Sequence, residues 1–368
     1  MYRSESPARP DGWLLAATFI LLAVSVLMVF STTAVPSQEF YGDSTSMVKR
    51  HLLHMIAGLA VFFVFSRLNP LLLQRIAVPL LFLTLSLLIV VLIPSVGHSA
   101  GGAQRWLTVG PLRMQPGELA KVAIIIYFAA YIDANRARMN LLVPGAIVPL
   151  VVISALAGLL LLEPDFGSTA VLTLVVLFQL FTVCRLSHLV GLGVLAATAG
   201  SILILTSPYR MRRLLAFLDP FQDASASGYQ LIQSLIAVGS GGMSGAGLGA
   251  GKQKLFYLPA AHTDFIYAVI AEELGLLGAL FVLGVFLLVL ARGLLVAKRL
   301  AGHPFLSTLA VGCTMLIVLP ALLNVGVVVG LLPTKGMVLP LVAYGGTAMM
   351  VHLAAMGILL RLSKMDPS

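Results

Sequence analysis

The chain has 368 residues, of which 59% are hydrophobic and 10% charged. Soluble domains carry about a quarter charged residues, so these charges are too few to cover a water-facing surface, and a soluble globular enzyme is excluded. Lysine and arginine number 23 against 14 acidic residues, a net charge of +9; in a membrane protein that excess is first divided between the two faces, and no nucleic-acid partner is expected.

A helix that crosses hydrocarbon needs about 20 apolar residues. Ten runs fit, at roughly 13–34, 48–66, 71–94, 117–132, 142–162, 166–183, 186–206, 264–299, 305–329 and 337–362. The first follows Arg3 and Arg9 and is too long for a signal-peptide core, so it reads as an uncleaved first helix. The spacing predicts an all-α integral membrane protein, a single polytopic domain over 1–368 with one large extracytoplasmic loop at 207–261. Ten spans put both termini on one side. With that side cytoplasmic, every short inner loop carries Lys or Arg, for example Arg67, Arg136, Arg185 and Arg299. Arg210, Arg212, Arg213, Lys252 and Lys254 then fall in the long segment, which weighs less in the positive-inside rule, so both termini are read as cytoplasmic.

In this orientation Arg105, Arg113, Lys121, Lys252, Lys254 and Lys335 stand at or near the outer face, against the topological bias. An anionic ligand would account for them; solvated loop charge is the alternative for any one of them. Lys121 lies one turn inside an apolar span and needs a partner or a ligand. Ahead of it, Pro116 suits a first helical turn and Glu118 the positive end of the helix. Glu118 and Lys121, three residues apart, can pair on one face. Two readings stand, a capped helix start with a satisfied ion pair, or an anion site in which Arg113 offers a forked donor to phosphate.

Further along, Glu163-Pro164-Asp165-Phe166-Gly167 separates two spans, with Asp165 suited to cap the sixth helix. The glycine-rich run from Gly239 to Lys252 imitates a nucleotide loop, but Gln253 stands where Ser or Thr is required. A flexible loop that lets backbone approach a ligand remains. Asp264 stands at the outer mouth of the eighth span, either as a helix-capping residue beside Thr263 or as a general base in a water-poor cleft, oriented by His262. No serine or cysteine is placed for a nucleophilic triad. Cys184 and Cys313 lack metal-site spacing, so no metal is expected. Gly345 and Gly346 suit close helix packing, and Lys335 invites a ligand.

These pieces together resemble the SEDS family (shape, elongation, division and sporulation), the polytopic peptidoglycan glycosyltransferases, from about Trp13 to Arg361. The likeness is carried by Arg105-Trp106, Arg113 through Lys121, Glu163 through Gly167, Asp219-Pro220-Phe221, Gly228-Tyr229-Gln230, Gly247-Leu248-Gly249, Gln253-Lys254 and His262-Thr263-Asp264-Phe265-Ile266. Pro333-Thr334-Lys335-Gly336 resembles the division branch of the family rather than the elongation branch. Ala260, Phe256 and Gly117 depart from residues usual in the family, and leave Asp264 as the lone acidic candidate in its loop.

The resemblance implies polymerisation of lipid II into glycan strands on the outer face of the cytoplasmic membrane during septal wall synthesis. Asp264 would deprotonate the acceptor 4-hydroxyl, which attacks the anomeric carbon with inversion and releases undecaprenyl diphosphate. Arg113 and Lys121, with Arg105, Lys252 and Lys335, would bind the diphosphate, and Glu118 and His262 would complete the substrate site. The implied partners are lipid II, undecaprenyl-diphosphate-linked glycan, a class B penicillin-binding transpeptidase and other divisome membrane proteins. No resident cofactor is implied, and a divalent cation requirement is left open. The alternatives are a lipid II flippase or a non-enzymatic division scaffold; the near absence of mid-span charge favours the enzyme.

Overall fold

In hydrocarbon each segment must satisfy its own backbone hydrogen bonds, which leaves the helix as the form for apolar runs of this length. The computed structural model describes residues 10–100, 103–109, 112–224, 228–334 and 336–365, so Arg3, Arg9 and Lys335 lie outside the described residues. The chain forms α1 (Gly12–Tyr41), α2 (Ser46–Phe65) and α3 (Pro70–Val91), then a small sheet of β1 (Gly97–Ala100), β2 (Ala103–Val109) and β3 (Leu112–Met114). There follow α4 (Pro116–Asn135), α5 (Val148–Leu162, entered through a π turn at Val143–Ile147), α6 (Phe166–Phe181) and α7 (Leu186–Leu205). Next come α8 (Pro208–Leu218), α9 (Tyr229–Gly241), α10 (Ile266–Arg299), α11 (Pro304–Val328) and α12 (Gly346–Ser363).

Among the described residues, 8 helices are long and apolar enough to cross a membrane. Of the other two expected spans, α6 is a shorter apolar helix and α4 carries Glu118, Lys121 and Asp133. The chain is a multi-pass membrane protein.

Both ends of the described chain meet at one end of the bundle. Asp11 caps α1 through Oδ1, which accepts from the amides of Trp13 (3.0 Å) and Leu14 (3.2 Å). Its Oδ2 accepts from Arg292 Nε at 2.8 Å and Nη2 at 2.6 Å, and its amide donates to Ser363 Oγ at 3.2 Å. One carboxylate thus ties together α1, α10 and α12. The sheet, α8, α9 and the segment before α10 gather at the opposite end.

Inside the bundle, Gln179 donates from α6 to the carbonyls of Ile125 (3.0 Å) and Thr308 (3.2 Å), joining α4 and α11. That contact requires glycine at 312, where a β-carbon would lie 2.5 Å from Ile125 and 2.6 Å from Gln179. Small residues allow this approach where hydrocarbon supplies no hydrophobic drive between helices. α11 and α12 are mostly buried, whereas Leu192 is the one buried residue of α7, which presents the rest of its surface to lipid.

Four local departures from the sequence reading have physical causes. The stretch at 207–261 is helical in part: α9 buries Leu231, Ser234, Ala237 and Gly241 along one face, and α8, of which only Ala216 is buried, opens on Pro208 at its first turn. The polar stretch 97–114 pairs as an antiparallel sheet, with Leu107 opposite Met114 and Thr108 opposite Arg113. The last span begins at Gly346 rather than near 337, since Pro340 lacks the amide a helix interior needs and 337–345 packs as irregular chain with Leu339, Leu341 and Val342 buried. Finally, α10 is kinked at Gly275, whose φ of 69° and ψ of −169° are open to glycine alone at low cost.

Candidate functional site

At the end away from the termini, a cavity of about 570 Å³ opens among β2, the α5–α6 junction, the end of α7, α8 and the segment before α12. Its wall includes Arg105, Asp165, Arg210, Arg213, Thr334 and Gly336. Arg105 projects from β2 and donates through Nε to the Glu163 carbonyl (2.8 Å) and through Nη2 to the Pro164 carbonyl (2.6 Å). Arg210 donates to the Leu203 carbonyl at 3.0 Å and lies 5.6 Å from the Phe166 ring centre. Arg213 donates to the Thr334 carbonyl at 3.3 Å and covers the Tyr209 ring at 4.7 Å.

Asp264 sits beside this cavity, two residues ahead of α10. It is not the helix cap: Phe265 holds that position, with no side-chain cap bond. Asn324 of α11 fixes the loop by donating to the Asp264 carbonyl and to the Met337 carbonyl, both at 2.7 Å. The carboxylate meets Gly336, where a β-carbon would lie 3.2 Å from Oδ2. Burial raises the Asp264 pKa to about 6, opposed by a hydrogen bond from Thr263 and by the charges of Arg213 and Arg105. The result is a carboxylate that is ionised at neutral pH yet basic enough to take a proton. His262 stands next to it, its carbonyl accepting from the Tyr344 amide at 3.0 Å and its ring edge-on to Tyr344 at 5.8 Å. Burial holds this imidazole below its usual range, so it is neutral.

The α5–α6 junction supplies two more carboxyl groups. Asp165 caps α6 as expected, accepting from the Ser168 amide at 3.0 Å, and it also receives Gln115 Nε2 at 3.5 Å. Glu163 is fully buried, and neither side-chain oxygen has a hydrogen-bond partner among the described residues. Burial, reinforced by Asp165, pushes its pKa to about 8 against the opposing charge of Arg105, so it is protonated at neutral pH.

The other candidates are distributed around this core. Lys121 Nζ donates to Glu118 Oε1 at 2.6 Å, and both residues are buried, so the ion pair anticipated from their spacing is made. Arg113 is exposed on β3, where its carbonyl accepts from Thr347 Oγ1 at 3.5 Å. Neither Arg113 nor Lys121 lines the cavity. Lys252 is exposed and also stands apart from it, its amide donating to Glu272 Oε1 at 2.7 Å. Lys254 is buried against Glu273 Oε1 at 2.6 Å and Ser31 Oγ at 2.7 Å. The glycine-rich run is held in the same way: the Gly247 amide donates to the Glu273 carbonyl and the Gly249 amide to Glu273 Oε2, each at 3.0 Å. Its backbone donors serve the chain's own acceptors. Gly346 packs closely as expected, with a β-carbon position 3.0 Å from His54.

Arg210, Arg213 and Glu163 escaped the sequence reading as site residues. For the arginines a signal existed: they stand three apart in an amphipathic segment opened by Pro208, which puts them on one helical face. For Glu163 none existed, because its burial is a tertiary property. Among the described residues, no group of three or more His, Cys, Asp or Glu is placed to hold a metal ion.

The sequence profile of the cell cycle protein family FTSW_RODA_SPOVE matches residues 12–367. The chain is 40% identical, over 98% of its own length and 93% of the relative's, to a Legionella pneumophila protein named probable peptidoglycan glycosyltransferase FtsW. A protein of the same name from Trichlorobacter lovleyi is 41% identical over 97% of this chain and 93% of its own. Among solved structures, one described as the structural coordination of polymerization and crosslinking by a peptidoglycan synthase complex contains a chain that superposes with a TM-score of 0.77 at 29% identity, covering 96% of this chain and 97% of that one.

Proposed function

The chain belongs to the FTSW_RODA_SPOVE cell cycle protein family, and on that footing we propose that it is a peptidoglycan glycosyltransferase that polymerises lipid II during septal wall synthesis. The observation that carries the reading is Asp264, a carboxylate raised to about 6 by burial at the edge of a cationic cavity.

The reaction follows from that arrangement. Asp264 takes the proton of the acceptor 4-hydroxyl as the oxygen forms its bond to the donor's anomeric carbon. The bond from that carbon to the diphosphate oxygen breaks on the opposite side, so configuration inverts and undecaprenyl diphosphate leaves with the electron pair. Fixed cations near the departing oxygen lower the barrier because they need no reorganisation as charge develops. Arg105 serves in this way at the cavity wall. Arg113 and Lys252, both exposed, draw the anionic substrate toward the outer surface. Lys335 keeps the diphosphate-binding role that the family resemblance implies. Lys121 and Glu118 form the ion pair at the head of α4, and His262 packs its ring against Tyr344 two residues before the base.

In this reading the cavity faces the outside of the cytoplasmic membrane, and both termini face the cytoplasm at the division site. A class B penicillin-binding transpeptidase packs its single helix on the bundle, beside other divisome membrane proteins. The direct test is polymerisation of lipid II by the purified protein with its transpeptidase partner. Glycan strands are the expected product, and none from well-folded protein would favour the flippase or scaffold alternatives.

A further inference from the structure

We propose that Arg210 and Arg213 of α8, together with Arg105 of β2, form the clamp that grips the diphosphate of the donor lipid; the inference rests on the glycosyltransferase reading above. The three guanidinium groups share one cavity wall. Each is anchored by neutral groups: Arg105 by the carbonyls of Glu163 and Pro164, Arg210 by the Leu203 carbonyl and the Phe166 ring, Arg213 by the Thr334 carbonyl and the Tyr209 ring. Among the described residues, none of the three is in a salt bridge to a carboxylate, although other cations of this chain are, as at Lys121, Lys254 and Arg292. Carbonyls and aromatic faces orient a guanidinium without cancelling its charge. Three oriented forks against the single wall carboxylate of Asp165 leave the cavity net positive, a receptor for a multiply charged phosphate.

One carboxylate, Asp165, shares this wall; it accepts from the Ser168 amide and Gln115 and forms no salt bridge to the three arginines among the described residues, so three cations face one anion. Glu163, buried behind the wall, is protonated. Asp264 feels the charge of Arg213 and Arg105, which puts base and clamp within electrostatic reach of each other.

That proximity assigns the clamp to the donor. The donor's diphosphate is bonded to the carbon under attack, so it must lie beside the base that activates the incoming hydroxyl. The acceptor's diphosphate is a whole disaccharide away from its reacting hydroxyl and cannot occupy the same place.

The other face of α8 fits a lipid-linked ligand. Arg212, Leu215 and Leu218 are exposed along it, and Phe221 follows, also exposed. A short helix with two arginines toward the cavity and an exposed face of leucines that also carries Arg212 suits the plane of the membrane interface, where the leucines enter the bilayer and Arg212 meets headgroups. There it can hold a diphosphate inward while the attached polyprenyl chain stays in the bilayer.

The test is binding of undecaprenyl diphosphate to the full-length protein in phosphatidylcholine nanodiscs, with undecaprenol, inorganic pyrophosphate and phosphatidylglycerol as comparison ligands. Arg210→Gln and Arg213→Gln should each weaken undecaprenyl diphosphate binding about tenfold or more, the usual scale for a charge-assisted contact, and leave undecaprenol binding unchanged. Pyrophosphate should compete and phosphatidylglycerol should not. Binding within twofold of wild type in both Gln variants, or equal competition by phosphatidylglycerol, would overturn the clamp. Arg210→Lys and Arg213→Lys keep the charge, so they report even where a Gln variant is unstable; loss of the fork should weaken binding at least threefold, and wild-type affinity in both would also overturn it. Wild-type protein that binds the diphosphate through these arginines yet makes no glycan would uphold the clamp and fault the reaction instead.

Discussion

The carboxylate of Asp264 occupies the space beside Gly336 that a side chain there would need: a β-carbon would stand 3.2 Å from Oδ2 and 4.0 Å from Cγ. Glycine at 336 therefore sets where the base can lie. Gly336→Ala should displace the carboxylate by a few tenths of an ångström and lower kcat about tenfold, with thermal stability little changed, since catalysis is sensitive to sub-ångström misplacement. Steady-state polymerisation of lipid II beside a melting curve checks this; an unchanged kcat would show that the contact does not position the base.

The pH profile carries a second expectation. A general base must be ionised, and Asp264 has a pKa of about 6. Polymerisation should rise about tenfold per pH unit below 6 and level off above it. Arg213 lowers this pKa, so Arg213→Gln should move the acidic limb upward. A limb near 4, or one that does not respond to Arg213, would contradict the assignment.

Lys121 and Glu118 were legible as an i, i+3 pair, and the pair is made in a buried setting. Removing one partner leaves an uncompensated buried charge, which costs about 3–5 kcal/mol. Lys121→Ala and Glu118→Ala should both lower Tm, and the double variant Glu118→Gln with Lys121→Met should recover much of the loss. Arg113→Ala, at an exposed position, should leave Tm unchanged and raise KM for lipid II several-fold. A normal KM in Arg113→Ala would remove it from the substrate path.

Glu163 offers a test of stability. Its folded pKa is about 8, against an ordinary 4.5. Between those values the folded state binds more protons than the unfolded one, so the contribution of this group to stability falls as pH rises. Glu163→Gln should therefore raise Tm at pH 8, and the gain should fade toward pH 4.5. A Tm difference independent of pH would mean that Glu163 is not held protonated.

How far the molecule could be read in advance depended on where the information lay. The apolar helices were legible because an apolar run has one way to satisfy its backbone in hydrocarbon, and the Asp165 cap and the Glu118–Lys121 pair were legible because each is a local relation along one helix. Arg210 and Arg213 were read as loop charge although their spacing after Pro208 puts them on one helical face; which face turns inward is defined by packing against Thr334 and the end of α7. Lys254 finds Glu273 across a folded loop, and the irregular chain at 337–345 is fixed by Asn324 reaching from α11. Such partners are set by tertiary structure and leave no periodic trace.

The central claim is that Asp264 is the base, and Asp264→Asn tests it most directly, since it keeps the side-chain shape and removes the basic oxygen. The purified variant, assayed for lipid II polymerisation with its transpeptidase partner and melted in parallel, should keep the wild-type Tm within a few degrees and lose activity by a factor of roughly 10²–10⁴. Polymerisation near the wild-type rate by a folded Asp264→Asn protein would contradict the account.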